Sequence, residues 1–203
     1  MIIKQFVTGQ LENNVYLVAD EVSKKAVLID ATALTDEIKD ACKNYDVEYI
    51  LLTHGHFDHI MGLTALKNAL GAKAVINQND LIISDNINEF TRLFGLPDCI
   101  PPTYEKFVED GEVLNVGELK IEVITTPGHT EGGVCYKVEN NLFSGDTLFR
   151  ESIGRTDLFG GNFSKLSESI KNKLFKLNDD VKVYSGHGPM TTIGHEKQYN
   201  VMI

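Results

Sequence analysis

The chain opens with three short runs rich in β-branched and aromatic residues: IIKQFVTG (2–9), NNVYLVAD (13–20) and KKAVLIDA (24–31). Gly, Asn and Asp bound them, which predicts strands joined by tight turns. In TDEIKDACKNY (35–45) Thr35 stands as an N-cap ahead of acidic residues, so a helix begins there. VEYILLT (47–53) reads as a buried strand, IMGLTALKNALG (60–71) as a helix stopped by Gly71, and AKAVIN (72–77) as a further strand. NQNDLIISDN (77–86) is predicted helical, and the stretch to Glu105 a loop or short helix ending in two prolines. A second strand-rich half follows from 106: KFVED, EVLNV, LKIEVITT, GGVCYKVEN and NLFSGD. In SKLSESIKNKLFKL (164–177) apolar residues at 166, 170, 174 and 177 mark one face of an amphipathic helix. DVKVYSGHG (180–188) is the last strand, with a short helical tail beyond it. Two strand-rich halves, each followed by helices, predict two sheets packed face to face with helices outside.

Neither repeat nor low-complexity linker divides the 203 residues, so one domain over 1–203 is expected. No apolar run approaches the ~20 residues of a membrane helix, and the N-terminus lacks the pattern of a signal peptide. A cytoplasmic protein without membrane contact is the expectation. Cys42, Cys99 and Cys135 are odd in number, far apart and never in a CxxC pair, which fits a reducing compartment. Cys135 reads as a small buried strand residue. The net charge of −10, with no Lys/Arg cluster, disfavours nucleic acid as a partner.

Half of the six histidines crowd into positions 54–59, HGHFDH, at the carboxyl end of the buried strand predicted over 47–53. A lone histidine in such a place is usually a packed, hydrogen-bonded residue. Three together without a cation would repel one another or be forced neutral by burial. Imidazole and carboxylate are also ligands that zinc-like metals prefer. If the chain is extended at 54–56, His54 and His56 project to one side, while Asp58 and His59 follow in the turn and can face a second ion. His129 in TTPGHTEGG, Asp146 in LFSGDTLF and His187 in VYSGHGP recur beside glycine at predicted strand ends. His195 in TIGHEKQY lies outside any such context and is expected at the surface or at a helix start.

THxHxDH at 53–59, PGHT at 127–130, GD at 145–146 and SGHG at 185–188 resemble the metallo-β-lactamase superfamily in order and spacing, over essentially the whole chain. The resemblance implies an α/β fold, a four-layer αβ/βα sandwich with its metal site at the rim of the two sheets. It implies two divalent ions, zinc foremost and iron an option. His54, His56 and His129 would bind the first; Asp58, His59 and His187 the second; Asp146 would lie between.

A water held by two such ions is acidified toward a pKa of ~7, with Asp58 as a further catalytic group accepting its hydrogen bond. No Ser, Cys or Lys nucleophile is then required. FSGDTLFRESIGRTDLFGG (143–161) and YSGHGPMTTIGHEKQYN (184–200) are similar to the glyoxalase II-like branch, the hydroxyacylglutathione hydrolases and their short bacterial relatives. That likeness implies a small-molecule thioester substrate such as S-lactoylglutathione. Arg155 stands where members of that branch offer a cation to substrate, or else forms a salt bridge with Asp157. Two departures qualify the likeness. The chain stops at Ile203 without the helical C-terminal region of full glyoxalase II enzymes, and Asp157 replaces an aromatic residue. The pocket is therefore expected to be more open, with Met190, Ile193 and Tyr199 as lining or packing residues.

A persulfide dioxygenase is the main rival, holding one iron on His54, His129 and Asp146. Ile153 stands where that family normally has Cys, which favours the hydrolase. β-Lactam hydrolysis is disfavoured, since no export signal is recognised. A nuclease is disfavoured because its inserted domain would not fit. A non-enzymatic metal-binding protein is a third class, but structural zinc sites are usually cysteine-rich and this set of five His and two Asp has no Cys.

Overall fold

The N-terminal alternation folds as an antiparallel meander. In the computed structural model, which describes residues 1–203, β1 (Ile2–Thr8), β2 (Asn13–Ala19) and β3 (Lys25–Ile29) pair in sequence order. Beyond β3 the same sheet grows in parallel through β4 (Asp46–Leu51), β5 (Lys73–Ile76) and β6 (Lys106–Phe107). Parallel neighbours cannot be joined by a tight turn. The crossovers are α1 (Asp36–Cys42), then α2 (Phe57–Ile60) with α3 (Leu63–Leu70), then α4 (Leu81–Ser84) with α5 (Ile87–Leu93).

The second half forms another six-stranded sheet, ordered β14-β13-β10-β9-β8-β7. Its members are β7 (Val113–Val116), β8 (Leu119–Thr125), β9 (Val134–Val138), β10 (Asn141–Gly145), β13 (Lys182–Ser185) and β14 (Thr191–Thr192). A small hairpin of β11 (Leu148–Phe149) and β12 (Ser152–Ile153) interrupts it, and α6 (Phe163–Asn172) and α7 (Ile193–Tyr199) follow.

Burial makes this a four-layer sandwich. Tyr16, Val27, Ile29 and Leu51 of the first sheet meet Val116, Val123, Tyr136 and Phe143 of the second. The opposite face of the first sheet, through Leu17, Leu28 and Ile50, packs on Ile38 of α1 and on Leu63 and Leu66 of α3. The outer face of the second sheet, through Cys135, Leu142 and Val183, packs on Leu166 and Ile170 of α6 and Ile193 of α7. β2 is buried at every position because both of its faces are covered, which is why its sequence is apolar beyond simple alternation.

Three details differ from the sequence reading. The helix expected over 60–71 is split, with α2 and α3 separated at Met61–Gly62. The Gly62 N–H donates to the Ala31 carbonyl at 2.8 Å, and a Cβ there would lie 2.7 Å from the Ala33 backbone. The chain bends at Gly62 to let helix and strand end touch. α6 stops at Asn172, and a 3₁₀ turn at Leu174–Lys176 carries the apolar face onward. The short β11, β12 and β14 have no sequence signature beyond a few apolar residues. No helix is long and apolar enough to cross a membrane.

Candidate metal centre

Every implied ligand sits just beyond the carboxyl end of a strand, in a loop or in the first turn of the helix that follows. β4 leads to His54 and His56; α2 carries Asp58 and His59. The β8–β9 loop presents His129, the turn after β10 presents Asp146, and the loop after β13 presents His187. Their donor atoms gather into three overlapping groups: His54, His56 and His129; His54, His59 and Asp146; Asp58, His59 and His187, each within 4.8 Å. All seven residues therefore meet, three of the histidines coming from one hexapeptide.

The second nitrogen of four imidazoles is already engaged. His129 Nδ1 donates to the Arg155 carbonyl at 2.7 Å and His187 Nδ1 to the Leu11 carbonyl at 2.9 Å. His59 Nδ1 donates to Asp30 Oδ2 at 2.8 Å. Thr53 Oγ1 donates to Asp30 and so accepts from His54 Nδ1, at 3.1 Å. Each contact fixes the tautomer that leaves an Nε2 lone pair turned inward, the arrangement that supports a metal ligand.

The inward atoms lack partners. His54 Nε2, His59 Nε2 and Asp146 Oδ1 are buried without a hydrogen bond, which is costly unless something binds them. His56 Nδ1 lies 2.9 Å from His129 Nε2, whose lone pair faces it. A cation between them lets both lone pairs point the same way. His59 Nε2 is 3.4 Å from Asp146 Oδ1, and His187 Nε2 is 3.3 Å from Asp58 Oδ2. Orphaned buried donors, a borderline imidazole–carboxylate set and close spacing together fit divalent metal ions.

Electrostatics point the same way. Burial, then the surrounding imidazoles, hold His54 well below the ordinary histidine range and bring His56 down to about 3. Burial also opposes charge on His59, but Asp58, Asp146 and Asp30 outweigh it and hold the proton. Asp58 and Asp146 are likewise opposed by burial, yet their histidine neighbours keep both below the usual carboxylate range. Neutral His54 and His56 beside ionised Asp58 and Asp146 are donors suited to a cation, and on His59 a bound cation would take the place of the proton that the carboxylates hold.

Several positions carry the site without having been legible as part of it. Asp30 orients His59 directly and His54 through Thr53; its one sequence signal was an acid closing an apolar buried strand. Asn13 Nδ2 donates to Asp58 Oδ2 at 2.8 Å, and Asn14 Nδ2 reaches the carbonyls of Ser185 and Gly188 at 2.9 Å. These neighbours in β2 tie the N-terminal sheet to the His187 loop. A Cβ on Gly186 would collide with Asp146 Oδ1 and His59 Cε1, so that glycine admits the close approach. Asp80, fully buried, accepts from Gly55 N and Thr130 Oγ1 at 2.8 Å and from Gly132 N, locking the His54–His56 segment to the His129 loop.

Arg155 is exposed and forks onto Asp157, at 2.7 and 2.8 Å, the salt-bridge arrangement of the two that the sequence offered. Its carbonyl, rather than its guanidinium, meets His129. His195, in the first turn of α7, pairs with Glu151 at 2.9 Å and joins none of the donor groups. Ile193 is fully buried and packs in the core, whereas Met190 and Tyr199 are exposed. All three cysteines are free, with Cys42 and Cys135 buried.

A profile of the metallo-beta-lactamase superfamily matches residues 8–187. The chain belongs to that superfamily. Hydroxyacylglutathione hydrolase GloC of Haemophilus influenzae is 34% identical over 198 residues, covering 93% of this chain and 92% of that protein. Among solved structures, the BLEG-1 B3 metallo-beta-lactamase superposes with a TM-score of 0.91 at 34% identity, covering 98% of each chain. TTHA1623 in a di-iron-bound form gives 0.89 at 32% identity, over 98% of this chain and 100% of the other. ETHE1 from Myxococcus xanthus gives 0.82 at 30% identity, over 99% of this chain and 84% of the other. Fold, donor set and family are those of a metal-dependent hydrolase.

Proposed function

We propose that this protein is a glyoxalase II-like thioesterase that cleaves an S-acyl thiol. The observation that carries the reading is the pairing of two donor triads, His54–His56–His129 and Asp58–His59–His187, around the unpartnered Asp146 Oδ1. His54, His56 and His129 would hold one ion and Asp58, His59 and His187 the other, with Asp146 shared. Two divalent ions there, zinc foremost and iron as the alternative, would supply Lewis acidity that generates hydroxide at neutral pH and polarises the acyl carbonyl.

The chain's own part is positional. Asn13 steadies Asp58, and its depressed pKa keeps that carboxylate ionised to take a hydrogen bond from the attacking water. The thiolate leaves with little need of a proton, so no general acid has to stand beside it. Arg155 would meet a carboxylate on the thiol carrier by exchanging Asp157 for it. Similarity to GloC supports the thioester class.

ETHE1 similarity favours a second reading, one iron on His54, His129 and Asp146 in an oxygenase. Against it stands Ile153, packed among apolar residues of the second half. BLEG-1 similarity makes a β-lactam the third class to assay. The zinc- and iron-loaded protein should be offered S-lactoylglutathione, glutathione persulfide with oxygen, and a chromogenic cephalosporin. Thiol release as the dominant activity is expected. Oxygen uptake with the persulfide, and no thiol released from S-lactoylglutathione, would transfer the assignment to the second reading, and cephalosporin opening alone to the third.

A further inference from the structure

On segments linked by hydrogen bonds to the donor set, large apolar side chains stand in solvent. Ile82 is 57% exposed, Phe94 55% and Phe159 61%. Ile82, Phe90 and Phe159 close on an open cavity of about 280 Å³, with Asn86 and Glu89 completing its wall. Clustered exposed apolar groups of this kind mark binding surfaces.

Both walls are rooted on the segments that carry metal ligands. One wall is α4 and α5, preceded by Asp80, which accepts from Gly55 between His54 and His56 and from Thr130 beside His129. Phe57, next to His56, packs against Phe94 with the rings tilted at 39° and their centroids 4.8 Å apart. The other wall is the loop carrying Phe159. There the Arg155 carbonyl accepts from His129, and Asn162 N donates to the Gly128 carbonyl at 2.7 Å.

Charge narrows the occupant. No Lys or Arg lines the cavity, and Glu89 is its one ionisable member. Of the cations flanking its walls, Arg92 pairs with Asp98, and Arg155, on Asp157, is the one that the thioesterase reading assigns to the carrier. Inside the cavity an anionic group meets only Glu89, whereas an uncharged apolar group buries carbon.

We propose that this groove holds the acyl group of the substrate, and that this group is uncharged, apolar and bulkier than lactoyl. The proposal rests on the thioesterase reading and deepens it: the carrier thiol lies toward Arg155, and acyl selectivity is set by Ile82, Phe90 and Phe159.

The test uses the metal-loaded protein and thioesters of the neutral thiol N-acetylcysteamine with acetate, hexanoate and benzoate. The hexanoyl and benzoyl esters should exceed the acetyl ester in kcat/KM by about tenfold or more, tenfold corresponding to roughly two fully buried methylenes. In Phe159→Ala and Ile82→Asp that preference should fall toward unity. Binding is read separately. The chain has no tryptophan, so Phe159→Trp places a sole indole in the groove. Its emission should shift with the non-hydrolysable S-hexyl thioether of N-acetylcysteamine, not with the S-methyl compound, and adding Ile82→Asp should abolish the response. If no thioester is cleaved but the hexyl compound binds selectively, the groove stands and the thioesterase reading falls. A flat acyl series among cleaved thioesters overturns the proposal. So does an equal response to hexyl and methyl compounds, whether or not thioesters are cleaved.

Discussion

Asp30 closes β3 in a left-handed conformation at φ 63°, a place that costs a non-glycine residue energy, and its carboxylate is what the bend presents to Thr53 and His59. Asp30→Asn leaves one acceptor oxygen for three donors, so its side chain can no longer orient both His54 and His59. Metal affinity is expected to fall about 10–100-fold, read by competition with a chromophoric chelator, with little change in far-UV circular dichroism. His59→Ala should cripple hydrolysis of S-lactoylglutathione; unchanged turnover would contradict a two-metal assignment. The thiols make a third residue-scale prediction. Burial pushes Cys42 and Cys135 up to about 11, so in the native protein at pH 8 neither should react promptly with a disulfide reagent. At most Cys99 titrates until the chain is unfolded, when three thiols appear. At this scale the seven side chains that gather at the rim were legible, because their motifs are local in sequence. Asp30, Asn13 and Asn14 were not. Their partners lie across the fold, as from Asn13 to Asp58 or Asn14 to Ser185, and nothing in a strand-forming dipeptide announces such a partner.

Between elements, the Asp80 carboxylate joins the α2 approach of the first half to the β8–β9 loop of the second. Asp80→Ala would leave the Gly55 and Gly132 amides and the Thr130 hydroxyl without their acceptor, in a place water does not reach. Such losses cost ~1–3 kcal/mol for each stranded group, so the denaturant midpoint should drop clearly in both metal-free and loaded protein. A change confined to the loaded form would mean that Asp80 acts only through the metal. Helices and strands were largely visible in the sequence where one face is apolar and the cap is explicit, as in α1 behind Thr35 or α3 ending on left-handed Gly71. The split at Gly62 was hidden because the apolar spacing continues through it. Its cause is the approach of Ala33 in the loop between β3 and α1, and periodicity does not record that.

At the scale of the whole molecule, the first sheet's half supplies four of the seven donors and the second supplies His129, Asp146 and His187. Metal bound at their meeting point would therefore hold the halves together. Metal at about a thousand times its Kd contributes about 4 kcal/mol, and for a chain of this length each kcal/mol moves Tm by about 2–4 °C. Chelation should lower Tm by about 8–16 °C, reversibly on adding zinc. An unchanged Tm would mean that the cluster is self-sufficient without ions. The two-sheet architecture could be read from the repeat of strand-rich halves, yet that pattern alone gave neither strand order nor the parallel pairing of β10 with β13; the family motifs supplied the sandwich and its rim.

The central claim is that two ions, held by seven side chains from both halves, make a thioesterase. It is tested most directly by titrating the metal-free protein with zinc while following thiol release from S-lactoylglutathione. Activity that rises to a break at two equivalents per chain is the predicted result. Full activity at one equivalent, or zinc uptake with no thiol released at any loading, would contradict it.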